Sequence, residues 1–334
     1  MWPFITPIKL IRYLLVWRVT GSLVHVPRCL SAEISLVLGI IIANRLPTRQ
    51  ARPWRKSLAP WDEHGGLSLV GKKKPIRLPD ASWPMKTVLF VYPGKRTYGQ
   101  GELILWELKL LGESADHGLF LEVILPAMEE AGTTVLDPKW QRQNVLWGRF
   151  DIHAVYVARG PQWEPIVRDR RLDLSYQASP VQWAEGLGFE QRSERIFDRL
   201  TWVTPFDFTE DSGRPRRKTK LTAREEAPTL PGILESLIAR MSQLLPGRHH
   251  TPEDVWNVLS EEERASFQAA LEQAAQIPIL SQRLKPAPKR GPGRWIGTQT
   301  FRSIPHPLIP YLELASILHI GKQTHFGCGT FAIR

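Results

Sequence analysis

The order in which strand and helix patterns follow one another is the feature that most restricts the fold of this chain. In the N-terminal half, a strand pattern over residues 8–19 precedes a helix pattern over residues 32–44, for which Ser31 is the predicted N-cap. Alternation of apolar side chains returns in LILWELKLL, a helix pattern follows over residues 114–130 with a break predicted at Pro126, and DIHAVYVA supplies the next strand. This order predicts a βαββαβ unit.

The C-terminal half repeats this order around an inserted pair of helices. RLTWVTPFDF is predicted as a strand with Leu200, Trp202, Phe206 and Phe208 on one face, and GILESLIARMSQLL as the helix that follows. N-cap signals predict that the inserted helices start near residues 252 and 261. A hairpin with a basic tip in RLKPAPKRGPGRWIGTQTF, a helix in PLIPYLELASIL and a strand in CGTFAI complete the pattern. The sequence therefore predicts an α+β fold of two tandem ferredoxin-like (RRM-like) domains, with a helical insertion in the second.

The length of 334 residues agrees with two domains, because it is about twice the usual size of one. We expect an N-terminal domain over residues 1–170, a linker over residues 171–195 and a C-terminal domain over residues 196–334. Residues 45–101 are rich in Arg, Lys, Pro and Gly, and are predicted to form a basic insertion of loops and short strands in the first domain.

Charge narrows the class of partner. The 44 Lys and Arg residues exceed the 33 Asp and Glu residues, which gives a formal net charge of +11. This sign favours a polyanion, either nucleic acid or a membrane surface. The 13 tryptophans supply large apolar area that serves either a core or base stacking. Composition alone therefore leaves both kinds of partner open.

Two N-terminal apolar runs are too short or too charged to span a bilayer. ISLVLGIIIA has only 10 residues, and IKLIRYLLVW carries Lys9 and Arg12. The two cysteines, Cys29 and Cys328, lack the spacing of a metal site or a disulfide framework. We therefore expect a cytoplasmic protein without a metal or cofactor.

A glycine-rich loop, HIGKQTHFGCGTF, joins the last predicted helix to the last predicted strand. Gly321, Gly327 and Gly329 permit backbone angles closed to other residues, and exposed N–H groups there would form an anion-binding nest beside Lys322. The alternative is a helix stop at Gly321 followed by a strand bulge.

The stretch PLIPYLELASILHIGKQTHFGCGTFAI resembles the C-terminal signature of the CRISPR-associated endoribonucleases of the RAMP superfamily, which mature precursor crRNA. LKLLGESADHGLFLEVILPAMEEAG, LTWVTPFDF and GRWIGTQTF resemble other segments of that family in the same order, over roughly the last two thirds of the chain. The resemblance implies tandem ferredoxin-like domains, a glycine-rich loop that contacts RNA, and metal-independent cleavage at a repeat stem-loop.

Three basic tracts are candidates to hold RNA phosphates, besides the glycine-rich loop. One of them, RLPTRQARPWRKS, interleaves arginine with Trp54 and is equally typical of a flexible linker. The other two, SGRPRRKTK and KPAPKRGPGR, have solvated loops as the alternative. The candidate RNA-binding residues are Arg45, Arg49, Arg214, Arg216, Arg217, Lys218, Lys220, Lys289, Arg290, Arg294, Gly321, Lys322, His325, Gly327 and Gly329.

Cutting RNA without metal requires a group that takes the proton of the 2′-OH and cations that stabilise the phosphorane. His25 lies between the first strand and the first helix, where the resembled family commonly carries its general base, and Arg28 follows three residues later. His25 as a partly buried loop residue with a local hydrogen bond, Arg28 or Arg45 as the sole stabilising cation, and His325 as an assisting group are the alternatives.

The function expected from this resemblance is maturation of CRISPR RNA: cleavage of the repeat stem-loop to a 2′,3′-cyclic phosphate and a 5′-OH, with retention of the product in an effector complex beside other subunits. A non-catalytic RAMP subunit that only binds crRNA is the first alternative. A basic membrane-surface protein is the second, which the lack of a long basic amphipathic helix in the sequence pattern disfavours.

Overall fold

The computed structural model describes residues 2–63, 82–134, 145–168, 171–187, 196–209, 226–247, 251–289 and 291–334. The chain divides into two compact units. The N-terminal unit comprises Lys9–Gly186 and Lys289–Gly291, and the C-terminal unit comprises Met1–Ile8, Leu187–Pro288 and Pro292–Arg334.

The N-terminal unit has the βαββαβ order. Its elements are β1 (Leu10–Val19), β2 (Leu23–His25), α1 (Leu30–Arg45), α2 (Thr48–Glu63), β3 (Thr87–Val91), β4 (Thr97–Gly99), β5 (Leu103–Leu111), α3 (His117–Leu119), a π-helical turn (Phe120–Ile124), α4 (Leu125–Thr133), β6 (Phe150–Arg159), β7 (Gln162–Arg168) and β8 (Arg171–Leu172). One antiparallel sheet has the order β3-β5-β1-β6-β7-β8, and β2 pairs with β4 separately. The first four strands of that order are those of a ferredoxin-like sheet.

Aromatic packing on one face of this sheet explains why the alternating pattern of β1 and β5 is so regular. Tyr13 and Trp17 of β1 are fully buried. The Tyr13 ring stacks on Phe120 at 3.9 Å, and the Trp17 ring meets Trp106 of β5 edge-on at 5.1 Å. Tyr13 and Trp17 are an even number of residues apart, and Trp106 pairs with Leu15 between them, so all three side chains lie on the same face of the sheet, which forms the core.

Three expectations about helices in this unit are wrong. Ser31 is not the N-cap of α1: the helix begins at Leu30, after Cys29, and Ser31 is buried in its first turn. Pro126 does not end the helix: residues 117–133 are helical throughout, and the π-helical turn over Phe120–Ile124 directly precedes the turn that contains this proline. The tract 45–101 contains α2 in addition to loops and short strands.

The C-terminal unit repeats the topology. Its elements are β9 (Phe197–Trp202), α5 (Leu230–Leu244), α6 (Pro252–Val258), α7 (Glu261–Ala275), β10 (Ile279–Pro286), β11 (Trp295–Ile304), α8 (Ile309–Leu318) and β12 (Phe331–Ile333). Its antiparallel sheet has the order β10-β11-β9-β12, again ferredoxin-like. β9 ends at Trp202, before Pro205, so the strand predicted through Phe208 is shorter than expected.

The inserted helices α6 and α7 begin where the N-cap signals predicted. The Ser260 amide donates to Glu263 Oε2 at 2.9 Å, and the Glu263 amide donates to Ser260 Oγ at 3.2 Å. Both units together confirm the α+β fold of tandem ferredoxin-like domains with a helical insertion in the second. None of the helices in the described ranges is both long and apolar enough to cross a membrane.

Candidate nucleic-acid interface and catalytic residues

The glycine-rich loop, residues 319–330, folds tightly between α8 and β12. The amides of Lys322, Phe326, Gly327 and Gly329 donate to backbone carbonyls of the C-terminal unit, with N···O distances from 2.8 to 3.0 Å. These four N–H groups therefore already donate hydrogen bonds within the protein. The expected anion-binding nest cannot be built from them in this conformation.

Two glycines of the loop are required by its own packing. Gly329 has a φ of +83°, and a Cβ atom there would overlap the carbonyl oxygen of Ile320. Gly321 has a φ of +86°, and its Cβ atom would lie 2.7 Å from the carbonyl oxygen of Asp207. Both residues have left-handed backbone angles and no room for a side chain. Packing within the protein therefore explains why glycine occupies these positions, without reference to a ligand.

His319 closes the loop against the end of α8. It is fully buried and has a φ of 58°, which is costly for a residue other than glycine. Its Nδ1 lies 3.2 Å from the Gly327 carbonyl oxygen and 3.0 Å from that of Cys328, so Nδ1 carries a proton that it donates to them. This residue stabilises the loop and is not a candidate for catalysis.

Of the five residues in this loop that were predicted to contact RNA, two are accessible to solvent. Gly321 is exposed and Lys322 is half-buried, whereas His325, Gly327 and Gly329 are buried. Among these five residues, the solvent-accessible ones thus lie at the beginning of the loop, close to the end of α8.

Arg240 was not identified from the sequence, yet it lies beneath the start of this loop. Its Nε donates to the Leu318 carbonyl at 3.2 Å, and its Nη1 donates to Gln243 Oε1 at 3.2 Å. Burial lowers the pKa of Arg240 to about 10, and within the described residues it has no carboxylate partner. Arg240 occupies an ordinary position in an amphipathic helix, so nothing in the sequence pattern distinguishes it.

His25 is the last residue of β2 and is exposed. β2 pairs with β4 so that His25 faces Thr97, and His25 Nδ1 lies 3.1 Å from Thr97 Oγ1. When Nδ1 donates to this hydroxyl, the lone pair of Nε2 is left to accept a proton. Thr97 therefore holds the ring in an orientation suited to a general base.

Two arginines flank the pair of His25 and Thr97 in the sequence. Arg28 is exposed in the turn that precedes α1, and Arg96 is exposed next to Thr97. The Val26 amide donates to the Arg96 carbonyl at 2.8 Å, which fixes these two segments side by side. Neither arginine forms an ion pair with a described residue. Thr97 and Arg96 were not identified from the sequence, because both lie in the tract that was expected to be irregular.

The other predicted cations differ in their surroundings. Arg45 Nη1 lies 3.0 Å from Glu130 Oε2, and Arg294 Nη1 lies 2.8 Å from the buried Glu226 Oε1. Arg49 and Lys289 are exposed. The remaining predicted contacts lie outside the described residues: Arg214, Arg216, Arg217, Lys218, Lys220 and Arg290. In the described ranges, no three His, Cys, Asp or Glu side chains are placed to hold a metal ion.

Comparison with known proteins supports the family that the motifs suggested. The family model of the CRISPR-associated endoribonuclease Cas6 matches residues 200–331. A search of curated proteins gave no match.

Similar solved structures include the Cas6 (TTHB231) product complex, at 16% identity over 98% of this chain and 99% of that one, with a TM-score of 0.49. A partial Cas6-RT-Cas1–Cas2 complex is 13% identical over 98% of this chain and 46% of that one, with a TM-score of 0.48. A Cas6-related protein from Pyrococcus furiosus is 9% identical over 98% of each chain, with a TM-score of 0.35.

Proposed function

We propose that the chain binds precursor CRISPR RNA and cleaves it within the repeat, because the family model of the CRISPR-associated endoribonuclease Cas6 matches residues 200–331. The family match is the observation that carries this proposal. The ferredoxin-like topology of both units and the exposed His25 agree with it.

In the proposed reaction, His25 takes the proton from a ribose 2′-OH through Nε2 while Thr97 holds Nδ1. The 2′ oxygen forms a bond to the adjacent phosphorus, and the bond from phosphorus to the 5′ oxygen breaks. The leaving oxygen receives a proton from protonated His25 or from water, which leaves a 2′,3′-cyclic phosphate and a 5′-OH. Arg28 supplies positive charge to the crowded phosphorane, and Arg96 is a second cation suited to the same task.

RNA contacts are also proposed at the solvent-accessible beginning of the glycine-rich loop, Gly321 and Lys322, and at the exposed Lys289. Arg45 and Arg294 are weaker candidates for RNA contact, because each already pairs with a carboxylate. The stem-loop form of the repeat and retention of the product beside other effector subunits remain part of the proposal.

The test is incubation of the purified protein with the repeat RNA of its own locus in EDTA, followed by analysis of the fragment ends. We expect cleavage with cyclic phosphate ends, and His25→Ala should slow cleavage by about 10²–10⁴-fold while RNA affinity is retained. His306→Ala, which removes an exposed histidine of the C-terminal unit, is the matched control and should cleave normally.

Each contrary result has a distinct meaning. Cleavage that EDTA abolishes contradicts the metal-independent mechanism. Full cleavage by His25→Ala moves the chemistry to Arg28 and Arg96. Tight binding of the repeat without any cleavage by the natural chain favours a non-catalytic crRNA-binding subunit.

A further inference from the structure

Helix α2 separates its side chains into a buried apolar stripe and an exposed basic face. The stripe recurs at helical spacing, and its members are Ala51, Trp54, Leu58 and Trp61, all buried. The Trp54 ring packs against Trp83 at 5.4 Å. Trp54 is therefore a core residue and is not available to stack on a base, contrary to one use that the sequence left open.

The helix carries four exposed cations: Arg49, Arg52 and Lys56 lie opposite the stripe, and Arg55 lies beside it. At about 100° per residue, Arg49, Arg52 and Lys56 fall within about 60° of one another around the helix, over an axial length of about 10.5 Å. None of the four forms a hydrogen bond or ion pair through its charged group with any described residue. Arg45, one helix earlier, shows the contrast, because it pairs with Glu130.

The distribution of charge along α2 opposes the stability of the helix. Its first turn has no acidic residue and its last turn has no basic residue, whereas Arg49 and Arg52 stand near its N-terminus. Positive charge near a helix N-terminus is unfavourable, since the macrodipole is positive there. The charge pattern therefore does not stabilise the helix, whose position is fixed by the buried stripe. Such a pattern fits a surface that binds a negatively charged partner.

We propose that the exposed face of α2 is a second RNA-binding surface, which contacts the phosphate backbone without reading bases. This inference rests on the proposed function, because it takes CRISPR RNA as the polyanion. Arginine suits such contacts, since its guanidinium donates two parallel hydrogen bonds to a phosphate. A membrane surface fits less well, because a membrane-bound helix inserts its apolar face, and the apolar face of α2 is buried in the N-terminal unit.

The test is the salt dependence of RNA binding. A triple variant, Arg49→Gln with Arg52→Gln and Lys56→Gln, is compared with a control triple of the same charge change that removes three exposed arginines elsewhere: Arg168→Gln, Arg171→Gln and Arg264→Gln. The slope of log K against log salt should become shallower by roughly 2.1–2.7 in the α2 triple, at 0.7–0.9 per lost phosphate contact. In the control triple, the slope should change by less than the 0.7–0.9 expected for the loss of one phosphate contact.

Circular dichroism checks that the helical content of the chain is unchanged in the α2 triple. The single variants and the pair Arg49→Lys with Arg52→Lys provide independent arms: each single should lose about one contact, and the lysine pair should keep the slope.

Failure of this inference is distinguishable from failure of the proposed function. If the natural chain cuts the repeat and the α2 triple keeps the full slope, the basic face is a solvated surface and the inference is overturned. If the α2 triple loses binding to vesicles of anionic phospholipid while its RNA slope is unchanged, the surface belongs to a membrane contact. If the natural chain neither binds nor cuts the repeat, the proposed function itself is wrong.

Discussion

Replacement of Gly329 by alanine should destabilise the C-terminal unit before any RNA is bound. The substituted residue would keep a φ of +83°, and its Cβ atom would overlap the backbone of Ile320. An L-residue in the left-handed region costs roughly 1–2 kcal/mol. Relief of the overlap also breaks the 3.1 Å hydrogen bond from the Ile320 amide to the Gly329 carbonyl. Buried groups left unpaired cost roughly 1–3 kcal/mol more, so the free energy of unfolding should fall by roughly 2–5 kcal/mol in total.

Gly101→Ala is the matched control for this substitution. Gly101 has the same φ of +83°, but a Cβ atom there would have no neighbour within 4 Å. The free energy of unfolding of this variant should therefore fall only by the cost of the left-handed backbone, roughly 1–2 kcal/mol. Urea unfolding followed by tryptophan fluorescence gives both values, with the two units fitted as separate transitions where they unfold separately. Equal losses in the two variants would refute the argument that the contact with Ile320 requires glycine.

Three further predictions test the N-terminal unit. Thr97→Val should slow RNA cleavage by roughly 2- to 12-fold, the value of one hydrogen bond to His25, and an unchanged rate would show that this bond does not position the ring. Arg12→Met should lower the free energy of unfolding by about 3 kcal/mol in urea titrations. The buried Glu107 carboxylate, 2.6 Å from Arg12 Nε, would lose its main partner. A loss below about 1 kcal/mol would contradict this. Burial lowers the pKa of His117 more than its hydrogen bond to a carbonyl raises it, so the unfolded chain takes up the proton first and stability should fall as the pH drops below about 6.5. His117→Gln should remove that part of the pH dependence, and identical pH profiles for both proteins would show that this histidine does not contribute.

The sequence predicted the strand order well because one face of each central strand is continuously apolar. Ile104, Trp106, Leu108 and Leu110 of β5 are all buried on that face, so a two-residue period is visible without any tertiary information. Helix α2 was missed for the opposite reason. Its apolar stripe is interrupted by prolines and dense positive charge, and the stripe gains its stability from packing against Trp83, about twenty-nine residues after Trp54.

The candidate site could be predicted only where a motif or a local position marks it. His25 and the glycine-rich loop were named from the resemblance, and their roles remain proposals. Thr97 lies 72 residues from His25 and reaches it through the pairing of two three-residue strands, β2 and β4. Segments so short carry no measurable periodicity, so neither their pairing nor the approach of Arg96 could be foreseen.

The folding role of the glycine-rich loop changes how its variants should be interpreted. Gly327 has a φ of 78°, its amide donates to the Thr324 carbonyl, and its own carbonyl accepts from His319. A β-branched residue such as valine would strain this conformation. Loss of RNA affinity in Gly327→Val would therefore follow from a distorted loop as readily as from a blocked phosphate. Lys322→Gln removes a charge and leaves the glycines intact, so the salt dependence of RNA binding in that variant, and not the affinity of a glycine variant, measures whether the loop contacts the RNA backbone.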